Sequence, residues 1–361
     1  MRKYVPRFVI ISLVTLALSF VIYRVAVASV EVADLINSTF SSLLRYILAG
    51  LTRFIPFSFF ELLIILSPVI LGLLVFLTLR RGTDRVRRVR VMTSLIGVIS
   101  IVLTSYIYTR GVGYHTTPLG QRIGVEDGSD IATEDLLYAT VTVQQELNAL
   151  AERLSLSDGE TRLSYSVDEL SERLVSAYDN MLARYPILTN YDSRVKPVYF
   201  STVMSDLQIT GIYSFFTGEA NVNVEYPDYC VAYTAAHEMA HQRGICRENE
   251  ANFVAFLVTI SSDDDYIRYS GYLNIYEYLI SALYRADEDL YYSVNASLHE
   301  TARADIRAAR AVYEKHKDST IGKINDRLND AYLKANGTDG VVSYGYVVRL
   351  AVGYYQKENN K

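Results

Sequence analysis

The chain has 361 residues, a formal net charge of −5 and a hydrophobic content of 50%. The slight acidity decides nothing about partners, and no internal repeat or low-complexity tract is visible, which sets aside solenoids and disordered linkers. The apolar excess is concentrated in the first ~110 positions, so a wholly soluble protein is excluded as well.

Those positions read as a membrane domain, residues 1–110. Residues 8–28 form an apolar run long enough to cross about 30 Å of hydrocarbon, preceded by Arg2, Lys3 and Arg7. No small-x-small cleavage site leads into soluble sequence, so the run is expected to be retained rather than removed as a signal peptide. Arg24 lies near its end, where it can snorkel. Between this run and the next, residues 32–57 mix Leu, Ile and Phe with Ser, Asn, Arg45 and Arg53, as an amphipathic segment lying on the outer surface would. Residues 59–79 give a second span, with Glu61 at its mouth and Pro68 inside it. The loop 80–90 carries Arg80, Arg81, Arg85, Arg87, Arg88 and Arg90, a cluster that belongs in the cytoplasm by the positive-inside rule. A nucleic-acid reading of these arginines is disfavoured, because they are wedged between spans without interleaved aromatics. Residues 91–108 form the third span. Three crossings from a cytoplasmic N-terminus put residues 111–361 outside, so the expectation is a multi-pass protein of the cell membrane with the lipid bilayer as a partner.

The remaining residues suffice for one core. After a turn-rich stretch at 111–128, Leu136, Leu137, Val141, Val143, Leu147, Leu150 and Leu154 make an apolar stripe at helical spacing. Ser166 with Glu169 is a capping box for a helix that ends before Pro186. Strands are expected at 197–202 and 209–215. A third is expected at 219–225, where Glu219, Asn221, Asn223 and Glu225 alternate with Ala220, Val222 and Val224 in the period of a strand with one wet face. Pro227-Asp228 marks the start of the next helix. Beyond a capping turn at Asp263-Asp264-Asp265, the segments near 273–284, 296–317 and 321–336 carry helical periodicity. The fold class is therefore α+β, mainly helical, with a small β-sheet.

The helix after Pro227 holds the chemistry. His237, Glu238 and His241 form a His-Glu-x-x-His pattern. Histidines four apart share one helix face, so both imidazoles can reach one Zn2+ at about 2.0–2.1 Å, with Glu238 placed to take a proton from a water. Uncharged neighbours such as Ala235, Ala236 and Ala240 suit a buried metal helix, whereas Arg243 does not. Gly244 offers a stop, and a second helix begins near Arg247. Glu248 and Glu250 are both near enough in sequence to supply the third ligand that zinc requires. Cys246 is a further option, although a carboxylate suits a hydrolytic site better. With Cys230 on the far side of the helix, two unpaired thiols are expected rather than a disulfide.

Several stretches carry a resemblance. Gly211-Ile212-Tyr213, the run Thr217 to Val224 and the His-Glu segment resemble the bacterial membrane-protein family catalogued as domain of unknown function 3810. Ile55-Pro56-Phe57-Ser58, Glu61-Leu62-Leu63, Thr117-Pro118-Leu119, Tyr269-Ser270-Gly271-Tyr272 and Tyr332 to Gly337 fit the same family. The metal segment is also similar to gluzincin metallopeptidases, in which the third ligand is a glutamate on the following helix. That likeness implies Glu248 as ligand, with Asn252 four positions later standing behind it and Glu250 as the alternative. It also implies a zincin-like domain and a strand before the metal helix along which an extended peptide lies, for which 219–224 is the candidate.

Together these readings predict a membrane-anchored zinc metallopeptidase, a hydrolase of peptide or protein substrates outside the membrane, with Glu238 as general base. The alternatives are a non-catalytic, zinc-stabilised surface scaffold or sensor, and a metal-dependent hydrolase of cell-envelope polymers. Tyr269, Tyr272 and Tyr344 are candidates to stabilise an oxyanion.

Overall fold

The structure, a computed structural model, describes residues 4–80, 84–125, 131–154 and 160–359. Arg2, Lys3, Arg81 and the end of the turn-rich stretch, 126–128, lie outside the described residues. Three helices are long and apolar enough to cross a membrane: α1 (Arg7–Ala28), α2 (Phe59–Leu79) and α3 (Arg85–Thr109). Helices α1 and α3 run side by side in the same direction, since Gly97 lies against Phe8 and Val9 while Gly111 lies against Tyr23. Gly97 lets the two backbones approach, because a Cβ there would stand 3.3 Å from the Val9 Cα.

The segment between α1 and α2 is helical almost throughout: Val30–Ile36, one π-helical turn at Asn37–Ser41, then Ser42–Thr52. Its polarity is inverted relative to a helix on a soluble protein. Asn37, Ser41, Arg45 and Thr52 are buried, while Leu35, Phe40, Leu43, Ile47 and Leu51 are exposed. Within the buried polar face, Arg45 donates to Asn37 Oδ1 at 3.0 Å and to the Asn37 carbonyl at 2.8 Å.

The rest of the chain packs around one large core. Leu136, Val143, Leu147 and Leu150 of α4 (Thr133–Leu154) are buried, and α5 (Val167–Arg184) follows with Ser166 accepting from the Glu169 N–H at 3.2 Å. The strands are shorter than their sequence patterns suggest: β1 (Val195–Pro197), β2 (Gly211–Tyr213) and β3 (Ala220–Val222). Residues 201–206, partly assigned to a strand from sequence, are helical. The sheet order is β1-β3-β2, with β3 parallel to β1 and antiparallel to β2. Next come α6 (Asp228–Gln242), α7 (Glu248–Ile260) and α8 (Asp265–Ala286), the last capped by Asp264. Near the C-terminus lies α9 (Thr320–Ala335).

Two expectations fail at β3. The alternating polar residues do not form a wet face, because Glu219, Asn221 and Asn223 are all buried. Each has a structural partner instead. Glu219 accepts from the Phe59 and Phe60 N–H groups at 3.0 and 2.7 Å, capping the start of α2, and Asn221 accepts from Ser58 Oγ at 2.7 Å. Asn223 donates to Ser205 Oγ at 2.9 Å and to the Ile209 carbonyl at 3.0 Å. Nor is 219–224 a sheet edge open to a peptide, since β3 is paired on both sides.

Candidate metal centre

Helix α6 is buried along its small residues, with Ala235, Ala236 and Ala240 fully buried. Its C-terminus explains Arg243, which looked out of place. That guanidinium donates to Asn190 Oδ1 and the Tyr191 carbonyl, both at 2.8 Å, and lies 4.4 Å from the Tyr178 ring centre. Gly244 then reverses the chain at φ 99°, a left-handed conformation that favours glycine, and a Cβ there would also stand 2.7 Å from the Arg45 guanidinium carbon. Asn37 donates to the Gly244 carbonyl at 3.1 Å, so the inverted segment grips this turn.

The turn brings Glu248, the first residue of α7, back to the histidines. Glu248 Oε2 lies 3.3 Å from His237 Nε2 and 3.2 Å from His241 Nε2. Tetrahedral ligands bonded at about 2.0–2.1 Å stand about 3.3 Å apart, so these separations suit one ion. Among the described residues, His237, His241 and Glu248 form the one such donor group, with ligand atoms within 4.8 Å of one another. Tautomer chemistry strengthens the fit. His241 Nδ1 lies 2.7 Å from the Ile245 carbonyl, which can only accept, so Nδ1 carries the proton and Nε2 presents a lone pair. Burial lowers the His241 pKa to about 4, which keeps the ring neutral. A lone pair facing a carboxylate oxygen at 3.2 Å is repulsive unless a cation lies between them.

Burial opposes ionisation of Glu248, yet the His237 ring, whose own pKa is raised, and the Arg110 guanidinium hold its carboxyl well below the usual range. Arg110, one residue past α3, donates to Glu248 Oε1 at 2.8 Å. One carboxylate oxygen thus faces the imidazoles while the other is fixed from the end of α3, a candidate span. Sequence reasoning missed this arginine. The available signal was a lone cation at the end of an apolar run opposite the arginine cluster, where positive residues are uncommon.

The other candidates lie elsewhere. Glu250 accepts from the Leu119 N–H at 2.9 Å and pairs with Arg247 at 2.8 Å, so it is not one of the converging donors. Asn252 donates to the Tyr278 hydroxyl at 3.3 Å, and the group that holds Glu248 is Arg110 rather than Asn252. Cys230 and Cys246 are free, and Cys246 sits under the Gly244 turn outside the donor group. His115, His299 and His316 are occupied with Tyr23, the Thr301 N–H and Asp206. Of the three tyrosines considered, Tyr269 is bonded to Asp305 at 2.6 Å and Tyr272 packs on Phe256, while Tyr344 lines the same cleft as the donors.

Glu238 points to the opposite side of α6 from the core, toward β2. Burial pushes its carboxyl up to about 7, and a Tyr213 backbone hydrogen bond moderates the shift. A Cβ on Gly211 would stand 2.6 Å from Glu238 Oε1, so only glycine lets β2 run this close. Main-chain bonds join Thr210 to Asn223 and Ser214 to Glu219. The intervening Gly211 and Tyr213 are therefore out of the β3 ladder; the Tyr213 N–H is taken by Glu238, while the Gly211 groups and the Tyr213 carbonyl face the free edge of β2. That edge and the donors share a cleft of about 790 Å³, whose walls include Tyr106, Phe215 and Leu328.

A family model described as Protein of unknown function (DUF3810) matches residues 36–352. No curated protein and no solved structure matches the chain.

Proposed function

We propose that this chain, which belongs to the family described as Protein of unknown function (DUF3810), is a membrane-anchored zinc metallopeptidase working outside the cytoplasmic membrane. The observation that carries the reading is the convergence of two imidazole nitrogens and one carboxylate oxygen on a single point, with a second carboxylate, Glu238, beside it in an open cleft. His237, His241 and Glu248 would hold the ion. A zinc ion there supplies Lewis acidity toward a water and a scissile carbonyl.

The chain's own groups do the rest. Glu238, held near neutrality by burial, takes a proton from the attacking water and passes it to the leaving amine. The free edge of β2 binds an extended peptide through the main-chain groups of Gly211 and the Tyr213 carbonyl, which replaces 219–224 in that role. Arg85, Arg87, Arg88 and Arg90 at the start of α3 favour a cytoplasmic position for that end, so that residues 111–361 form a zincin-like domain on the outer side. A closed structural site would need four protein donors, and three converge here among the described residues, which weighs against the scaffold or sensor reading. The strand edge favours a peptide over an envelope polymer.

The test uses the purified full-length protein in detergent with a peptide library. Both parent and Glu238→Gln should bind about one zinc per chain. Cleavage by the variant should fall at least about a hundredfold. Unchanged cleavage would remove Glu238 as the base, and absence of metal from both proteins would remove the centre.

A further inference from the structure

We infer that the substrate is a polypeptide segment adjoining a membrane anchor, cut where it leaves the bilayer. This rests on the peptidase reading above and adds the class of substrate. It comes from the level at which the centre sits relative to the spans.

Four contacts fix that level. From Val91 to Arg110, about twenty residues at about 1.5 Å each cover about 30 Å, the thickness of the hydrocarbon core. Arg110 therefore stands at its outer boundary, and its guanidinium touches Glu248 at 2.8 Å. Beside it, Gly111 packs on Tyr23 and His115 bonds the Tyr23 hydroxyl at 3.2 Å. Tyr23 belongs to α1, which continues to Ala28, so the start of the polypeptide leading away from α3 is level with residues still inside a span. The third contact is the inverted segment. Its exposed Leu35, Phe40, Leu43, Ile47 and Leu51 have the chemistry of a lipid-facing surface, while its buried Asn37 holds the turn between the two ligand helices. Last, Glu219, next to the strand that pairs with β2, caps the first residues of α2.

The cleft is built for the same level. Tyr106, in the last turn of α3, is one wall, and its hydroxyl donates to Asn336 Oδ1 at 2.7 Å, which fastens the end of α9 to the span. Helix α9 exposes Ile321, Ile324 and Leu328 on one face, and Leu328 borders the cleft. An extended chain advances about 3.3 Å per residue, so the cleft takes residues within about five of an anchor without that anchor leaving the lipid. Confinement to the same surface also raises the effective concentration of such a segment.

The test places the full-length protein in phosphatidylcholine–phosphatidylglycerol vesicles with one randomised peptide library in three forms. The first carries a palmitoyl group on either end through a spacer of about three residues, the second a palmitoyl group through a flexible spacer of about thirty residues, and the third no lipid. The short-spacer form should be cleaved at least about tenfold faster than either other form. Equal cleavage of lipidated and free peptides, or faster cleavage with the long spacer, would overturn the substrate class and leave the peptidase reading standing. If no form is cleaved and Glu238→Gln behaves as the parent, the peptidase reading falls and the substrate class falls with it.

Discussion

In the α6–α7 hairpin the candidate metal donors are close neighbours in sequence, as His241 and Glu248 are 7 positions apart. The groups that hold this hairpin come from far away: Arg110 is 138 positions from Glu248, and Asn37 is 207 from Gly244. The first region is set by helix periodicity and one glycine turn, and its chemistry belongs to the residue types themselves. The second is set by packing against the spans, and its residues contribute orientation. The difference teaches that the donor set is a local property of this chain, whereas its geometry is shared with the bundle of apolar N-terminal helices.

The comparison can be broken most sharply inside the hairpin. Glu248→Gln should lose bound zinc almost entirely, while Glu250→Gln should keep it, because Glu250 is tied to Leu119 and Arg247. Metal analysis after dialysis reads this directly, and the opposite pattern would exchange the two roles.

A smaller effect is expected from the shell. Arg110→Met releases Glu248 Oε1 and should weaken zinc binding by about 10–100-fold, with partial recovery in Arg110→Lys. Competition with a fluorescent chelator measures it. Tighter binding in Arg110→Met would mean that the guanidinium acts by repelling the ion instead of by holding its ligand. The smallest effect belongs to the α2 cap. Glu219→Gln removes a carboxylate from a helix N-terminus and should cost about 1 kcal/mol of stability in micelles, with zinc affinity unchanged. A change in zinc affinity there would extend the coupling from the bundle through β3 to the site.

The hairpin was legible in sequence because its signals are short-range: two histidines at helical spacing, a glycine stop and a following carboxylate. Apolar length made the three candidate spans equally plain. The reading of 219–225 went wrong for an identifiable reason. Alternation reports polarity, and it cannot distinguish a wet face from polar side chains buried against a helix end that needs capping, as Glu219 and Asn221 are. The inverted segment at 30–52 was hidden similarly, since an amphipathic pattern does not say which face is inward. Arg110 was beyond reach for another reason: its partner is determined only once α3 and α7 have packed.

The inverted segment has a last consequence. If the portion beyond α3 were shed by a cut near residue 110, it would keep both imidazoles, Glu248 and the His241–Ile245 bond yet forfeit the contacts of Arg110 and Asn37 that steady the turn and Glu248. The Lys196 ammonium, which burial lowers to about 8 and which donates to the Thr52 and Ile55 carbonyls, would be stripped bare at the same stroke. On the peptidase reading proposed above, release from the lipid would thus be a route to inactivation.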